Sequence, residues 1–85
     1  MTYIIYSKQG CENCEKAKRL LTNEKKIIIE CDQMLKNNRG ELIKSLELKT
    51  HRPFKTFPLI FVDDMYVGDY EDLVEYLAFE MNEEF

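Results

Sequence analysis

Chain breakers are scarce: three glycines and two prolines in 85 residues, with no internal repeat, linker or low-complexity tract. Fibrous, repetitive and disordered organisations are excluded, because 45% of the chain is hydrophobic and 33% is charged. No apolar run approaches the ~18 residues that span a bilayer, so no membrane partner is expected. An excess of basic charge is also missing. Lys plus Arg is 12 against 16 Asp plus Glu, a net charge of −4, which leaves no electrostatic footprint for nucleic acid. The opening Met1-Thr2-Tyr3-Ile4-Ile5-Tyr6 lacks a basic leader and is too short for a signal-peptide core. A cytoplasmic setting is therefore expected, where structural disulfides are rare. The odd count of three cysteines likewise argues against a closed disulfide framework.

What is present fits one small domain spanning residues 1–85. A chain of this length buries only about 60–65% of its unfolded surface, enough for one core and one shallow site. Tyr3 to Tyr6 is β-branched and aromatic, as a strand requires. From Cys11 to about Glu24 the pattern turns helical, with Cys14, Ala17, Leu20 and Leu21 on one face. Ile27-Ile28-Ile29 reads as a fully buried strand ending near Cys31. A helix over Arg39 to Leu48 points Leu42, Ile43 and Leu46 inward. Leu59 to Val62 is a buried strand, and Asp63-Asp64 turns it into Met65-Tyr66-Val67. A last helix after Gly68 carries Tyr70, Leu73, Val74, Leu77 and Met81 on one face. The order β-α-β-α-β-β-α predicts an α/β domain with a mixed four-stranded sheet flanked by helices.

Cys11-Glu12-Asn13-Cys14 stands where the first strand meets the first helix. The leading N–H groups of a helix lack intrahelical partners and its dipole is positive there. A thiolate at Cys11 is stabilised by both, and Lys8 adds positive charge. Cys14, one helical turn on, is the more buried thiol. This division suits thiol–disulfide exchange, with Cys11 attacking and Cys14 resolving. The alternatives are a zinc site on Cys11, Cys14, Cys31 and His51, an iron–sulfur cluster bridging two chains through Cys11, two incidental core cysteines, or a non-catalytic interaction domain. The two further zinc ligands do not form a second close-spaced pair, so no metal is expected.

The chain resembles the glutaredoxins. The likeness lies in Lys8-Gln9-Gly10-Cys11-Glu12-Asn13-Cys14, then Thr56-Phe57-Pro58, then Val67-Gly68-Asp69-Tyr70-Glu71-Asp72-Leu73, in the family's order. The short length and the loop before Pro58 look most like members from phages and large DNA viruses. The resemblance implies a thioredoxin fold and an enzyme that reduces protein disulfides or glutathione mixed disulfides. Glutathione is then co-substrate, with no tightly bound cofactor, and the protein is expected to be a monomer. Cys11 and Cys14 are the implied catalytic pair. Phe57 and a cis Pro58 are implied to present backbone to glutathione, Lys8 to face a carboxylate, and Gly68, Asp69, Tyr70 and Glu71 to receive its γ-glutamyl end. A thioredoxin-like donor to ribonucleotide reductase, not reduced by glutathione, is the nearest variant.

Three positions depart from the family pattern. Glu12 and Asn13 replace the common Pro-Tyr between the cysteines. A carboxylate beside Cys11 opposes thiolate formation, so a less acidic Cys11 and a more reducing disulfide are expected. Asp69 replaces a glycine, which puts a negative charge where the ligand is expected. Cys31 reads as a buried hydrophobe. Lys49-Thr50-His51-Arg52-Pro53-Phe54-Lys55 is a basic loop that reads equally as solvated or as a rim recruiting an acidic protein substrate or a glutathione carboxylate, and Glu80 to Phe85 reads as a solvated tail.

Overall fold

The structure, a computed structural model, describes residues 1–81. Eight elements follow in order: β1 (Tyr3–Ser7), α1 (Glu12–Leu20), β2 (Lys26–Glu30), α2 (Asp32–Asn37), α3 (Arg39–Thr50), β3 (Leu59–Val62), β4 (Met65–Gly68) and α4 (Tyr70–Met81). The strands form one mixed sheet in the order β2-β1-β3-β4. β1 and β2 run parallel around α1, while β3 pairs antiparallel with both β1 and β4. This is the thioredoxin fold.

Strand alternation divides the core between the two sheet faces. On one face Tyr3, Ile5, Ile60 and Val62 pack with Ala17 and Leu21 after β1–α1 and with Leu73 of α4. On the other, Leu59 and Phe61 pack with Leu42 and Leu46 of α3 and with Cys14, Cys31 and Phe57. β3 is the central strand whose four residues are all buried, because helices cover both of its faces. Each fully buried Ile or Leu contributes about 1.5–3 kcal/mol. The ion pairs Lys16–Glu12, Lys18–Glu15 and Lys18–Glu30 involve exposed carboxylates and add about 0–1 kcal/mol each. The apolar layers hold the fold.

Several expectations are corrected. β2 is an edge strand and not a fully buried one, with Ile27 and Ile28 52% and 38% exposed. A further short helix, α2, follows Cys31 directly, and α3 runs on to Thr50 before His51 ends it in a left-handed conformation. α1 stops at Leu20, whose side chain is exposed while Leu21 is fully buried. On α4, Val74 faces outward and Tyr76 packs against the core in its place. Glu80, read as the start of a solvated tail, is instead partly buried in the last turn of α4 and accepts from the Tyr76 hydroxyl at 3.3 Å, while the side chain of Met81 and residues 82–85 lie outside the described residues.

Candidate active site

The site begins with the loop that ends β1. Gln9 N–H donates to Asp32 Oδ1 at 2.9 Å, which ties the loop to α2. Gly10 then takes φ +73, a value that favours glycine, and the chain enters α1 with Cys11 as N-cap. Cys11 is half-buried and Cys14 fully buried. The two are joined as a disulfide with Cα atoms 5.2 Å apart. Cys14 N–H donates to Cys11 Sγ at 3.1 Å, so the sulfur occupies the place of a capping oxygen. This arrangement stabilises a sulfur anion, because a free N–H and the helix dipole both point at it.

Across from Cys11 runs the turn before β3. The Phe57–Pro58 peptide bond is cis, as the motif implied. The Phe57 carbonyl lies 3.7 Å from Cys11 Sγ and also accepts from Thr56 Oγ1 at 3.4 Å. Both Phe57 and Pro58 are buried, so the turn presents backbone to the sulfur and not side chain. Lys8 is half-buried in the loop after β1.

A groove of about 450 Å³ continues from this turn, between the segment 50–56 and the β4–α4 corner. Arg52 and Lys55 of the basic loop line one side, and Asp69 and Asp72 the other. Asp69 caps α4: its Oδ1 accepts from Asp72 N–H at 2.9 Å, and Asp72 Oδ2 accepts from Asp69 N–H at 3.1 Å. This reciprocal cap satisfies a donor at the start of the helix and one at the cap itself. Gly68, at φ +132, lies tight beneath it, since a Cβ there would fall on the Asp72 carboxylate. Asp69 does not itself adopt a positive φ. Burial, then the Asp69 and Asp72 charges, push the Tyr66 phenol up, while Arg52 opposes them.

The structure thus brings Cys11, Cys14, Phe57 and Pro58 together, and sets Gly68 and Asp69 along the groove. Tyr70 turns toward α1 instead, its ring 5.9 Å from the Lys16 ammonium, and Glu71 is exposed. Asp72 was not singled out from sequence, although the Asp69-x-x-Asp72 spacing is a capping-box signature. The zinc set is not assembled: among the described residues no group of three or more His, Cys, Asp or Glu side chains is placed to hold a metal ion.

Cys31 is fully buried, with Sγ 3.6 Å from the Ile29 carbonyl. Burial pushes its thiol above the ordinary value of 9.0. The unfolded chain therefore releases this proton at lower pH than the folded one, and stability falls as pH rises past 9.0. Tyr3 and Tyr66, raised from 10.0, act in the same direction. A pH series of denaturant unfolding is expected to show this alkaline decline, and Cys31→Ala to remove its first part. Native Cys31 is expected to resist alkylation until the chain unfolds.

A half-buried sulfur capping a helix, with its partner one turn inside and a cis-proline turn opposite, defines a class: thioredoxin-fold proteins with a reversible dithiol. Comparison with known proteins narrows the class. The model of the family described as Glutaredoxin matches residues 3–67. Glutaredoxin 1 of Rickettsia bellii is 37% identical over 73 residues, covering 85% of this chain and 72% of that protein. Glutaredoxin 1 of Escherichia coli is 32% identical over 82 residues, covering 91% and 93%. The solved structure of reduced Escherichia coli glutaredoxin superposes with a TM-score of 0.74 at 27% identity over the full length of both chains. The chain belongs to the glutaredoxin family and is a thiol–disulfide oxidoreductase. These relatives are bacterial, so they lend no support to a particular likeness to phage and viral members.

Proposed function

We propose that residues 1–85 act as one glutathione-dependent dithiol domain with Cys11 as nucleophile and Cys14 as resolving thiol. The observation that carries this reading is the placement of Cys11 Sγ, capped by Cys14 N–H at 3.1 Å and 3.7 Å from the Phe57 carbonyl. The Cys11 thiolate attacks one sulfur of a substrate disulfide, forming a mixed disulfide and expelling the other sulfur as a thiol. Cys14 then loses its proton and attacks the Cys11 sulfur. The Cys11–Cys14 bond forms, and the second substrate thiol leaves with the remaining electrons. Two glutathione molecules reverse the change. The first attacks Cys11 and frees Cys14. The second attacks the bound glutathione sulfur, which leaves as glutathione disulfide and restores Cys11.

In this reading the cysteinyl unit of glutathione pairs with the Phe57 backbone beside Pro58, by strand-like addition. Lys8 and the groove cations Arg52 and Lys55 attract its carboxylates. Gly68 and Asp69, with Asp72 added, form the end that meets the γ-glutamyl ammonium, and Tyr70 and Glu71 stand outside this groove. All these residues come from one chain, so the monomer is the catalytic unit. The cytoplasm, where glutathione is kept reduced, is the fitting compartment. The reading is tested by turnover of a glutathione mixed disulfide coupled to glutathione reductase. Activity there supports it, and none at any glutathione concentration refutes it.

The self-satisfied cap on α4 favours a second reading. Asp69 already occupies the Asp72 N–H, a donor that an incoming carboxylate would otherwise use. Its charge also repels such a carboxylate. This supports a thioredoxin-like donor to a protein disulfide, as in ribonucleotide reductase, over a tight glutathione binder. On this second reading Asp69→Gly lowers the KM for glutathione several-fold, at a stability cost of a few tenths of a kcal/mol, whereas on the first reading, where Asp69 meets the ammonium, it raises it. Steady-state kinetics with varied glutathione check it, and an unchanged or higher KM counts against the cap as an obstacle. Reduction by thioredoxin reductase, with no glutathione turnover, would select the second reading outright.

A further inference from the structure

The sheet ends at β2, and this edge carries apolar side chains in the open. Ile27 and Ile28 are 52% and 38% exposed, and β2 is an end member of the strand order. Natural edges are usually blunted by charge, proline or a bulge, because unpaired backbone groups template further pairing. β2 has no proline, and its charges, Lys26 and Glu30, stand only at its ends.

The backbone phase of this edge is set by its contacts with β1. Tyr3 N–H donates to the Lys25 carbonyl at 2.9 Å, and Cys31 N–H donates to the Ser7 carbonyl at 2.8 Å. Backbone groups alternate in direction along a strand, so the odd-numbered residues of β2 face β1. Lys26, Ile28 and Glu30 then direct their N–H and C=O groups outward. A second copy of the strand, laid antiparallel about Ile28, meets these outward groups with its own. Ile28 then stands opposite Ile28, Ile27 opposite Ile29, and Lys26 opposite Glu30 at both ends. A shift of two residues either way keeps the hydrogen-bond phase but sets Ile28 against Lys26 or Glu30. The segment Lys26-Ile27-Ile28-Ile29-Glu30 is thus complementary to itself in one register, apolar to apolar and charge to opposite charge.

We propose that β2 docks a second copy of this chain, joining the two four-stranded sheets into one continuous sheet around a two-fold axis at Ile28. Lys18 already holds Glu30 at 3.0 Å on its own chain, so Glu30 is shared between Lys18 and the incoming Lys26. Strand direction reverses across the axis, which places the two Cys11 sites at opposite ends of the joined sheet and leaves both open. A five-residue edge covers less than the ~1,200 Å² of a stable interface. The dimer is accordingly weak and forms at high concentration, beside the catalytic monomer.

Sedimentation of the full chain, kept in reductant to remove intermolecular disulfides, tests this. The expected result is a mass that rises from one chain to two with concentration. K26E or E30K alone sets like charges opposite at both ends and is expected to weaken association about tenfold, without loss of disulfide reductase activity. The double variant K26E/E30K restores opposite charges and is expected to recover most of the loss. I28K, which puts two ammonium groups at the axis, is expected to abolish the dimer. A single-chain mass up to about 1 mM, or a dimer indifferent to these changes, overturns the proposal. A double variant no stronger than the single ones overturns the register.

Discussion

Cys11→Ser is expected to abolish turnover of every disulfide substrate, by at least about a thousandfold. A serine hydroxyl is not ionised near neutral pH and does not attack sulfur, and the other two thiols, Cys14 and Cys31, have no exposed surface. Both are buried in the core layer that contains Leu42, Leu46 and Phe61. Cys14→Ser is expected to split the substrates. A glutathione mixed disulfide at Cys11 is released by a second glutathione, so that turnover survives in part. A protein bound to Cys11 has no neighbouring thiol to free it, so protein disulfide reduction stalls and the covalent mixed disulfide accumulates. Coupled kinetics and intact-mass detection check both variants. A Cys11→Ser protein with substantial activity, or equal losses for both substrates in Cys14→Ser, would reassign the two roles.

Gly68→Ala is expected to be the most damaging change outside the cysteines. The added methyl group meets the Asp72 carboxylate, and an L side chain is strained at φ +132. Backbone strain and loss of the α4 cap together cost about 2–4 kcal/mol, which lowers Tm by roughly 10–20 °C for a domain of this size. The same residue sits where β4 departs from regular pairing, between the Ile60 and Phe61 partners, so the groove is distorted as well. Thermal unfolding by circular dichroism checks the magnitude. In an Asp72→Ala background the overlap with the carboxylate is removed while the one with the residue-72 Cβ, at 2.6 Å, remains, so the further cost of Gly68→Ala is expected to shrink only in part. A Tm within a few degrees of the parent protein would show that the corner relaxes freely.

The parts of this molecule that were legible in sequence are those written locally. Cys11-x-x-Cys14 after a breaker, the Phe57–Pro58 pair before a buried run, and the Leu59–Val62 strand each carry their own pattern. The structure adds what depends on distant neighbours. Ile27-Ile28-Ile29 has the composition of a central strand, yet burial is decided by what lies beside it, and among the described residues no strand pairs beyond β2. Leu20 and Val74 fit their helical faces by spacing. Each is turned out because α1 ends early and Tyr76 takes the core position on α4. The Asp69–Asp72 cap was visible as a spacing, but its crowding against Gly68 and its closure of a helix terminus depend on the turn's three-dimensional path. The family resemblance implies a place for Tyr70 at the ligand's γ-glutamyl end, whereas helical rotation carries its ring toward Lys16.

The central claim is that one sulfur, Cys11, exchanges with both glutathione and Cys14. Redox titration in glutathione buffers, quenched with acid and read by intact mass and peptide mapping, tests it most directly. The account predicts one two-electron transition, the loss of two hydrogens as Cys11 and Cys14 join, with glutathione appearing only on Cys11 near the midpoint and Cys31 unmodified throughout. Glutathione retained on Cys14 or Cys31, or a Cys11–Cys14 pair that stays reduced across the whole range, would contradict it.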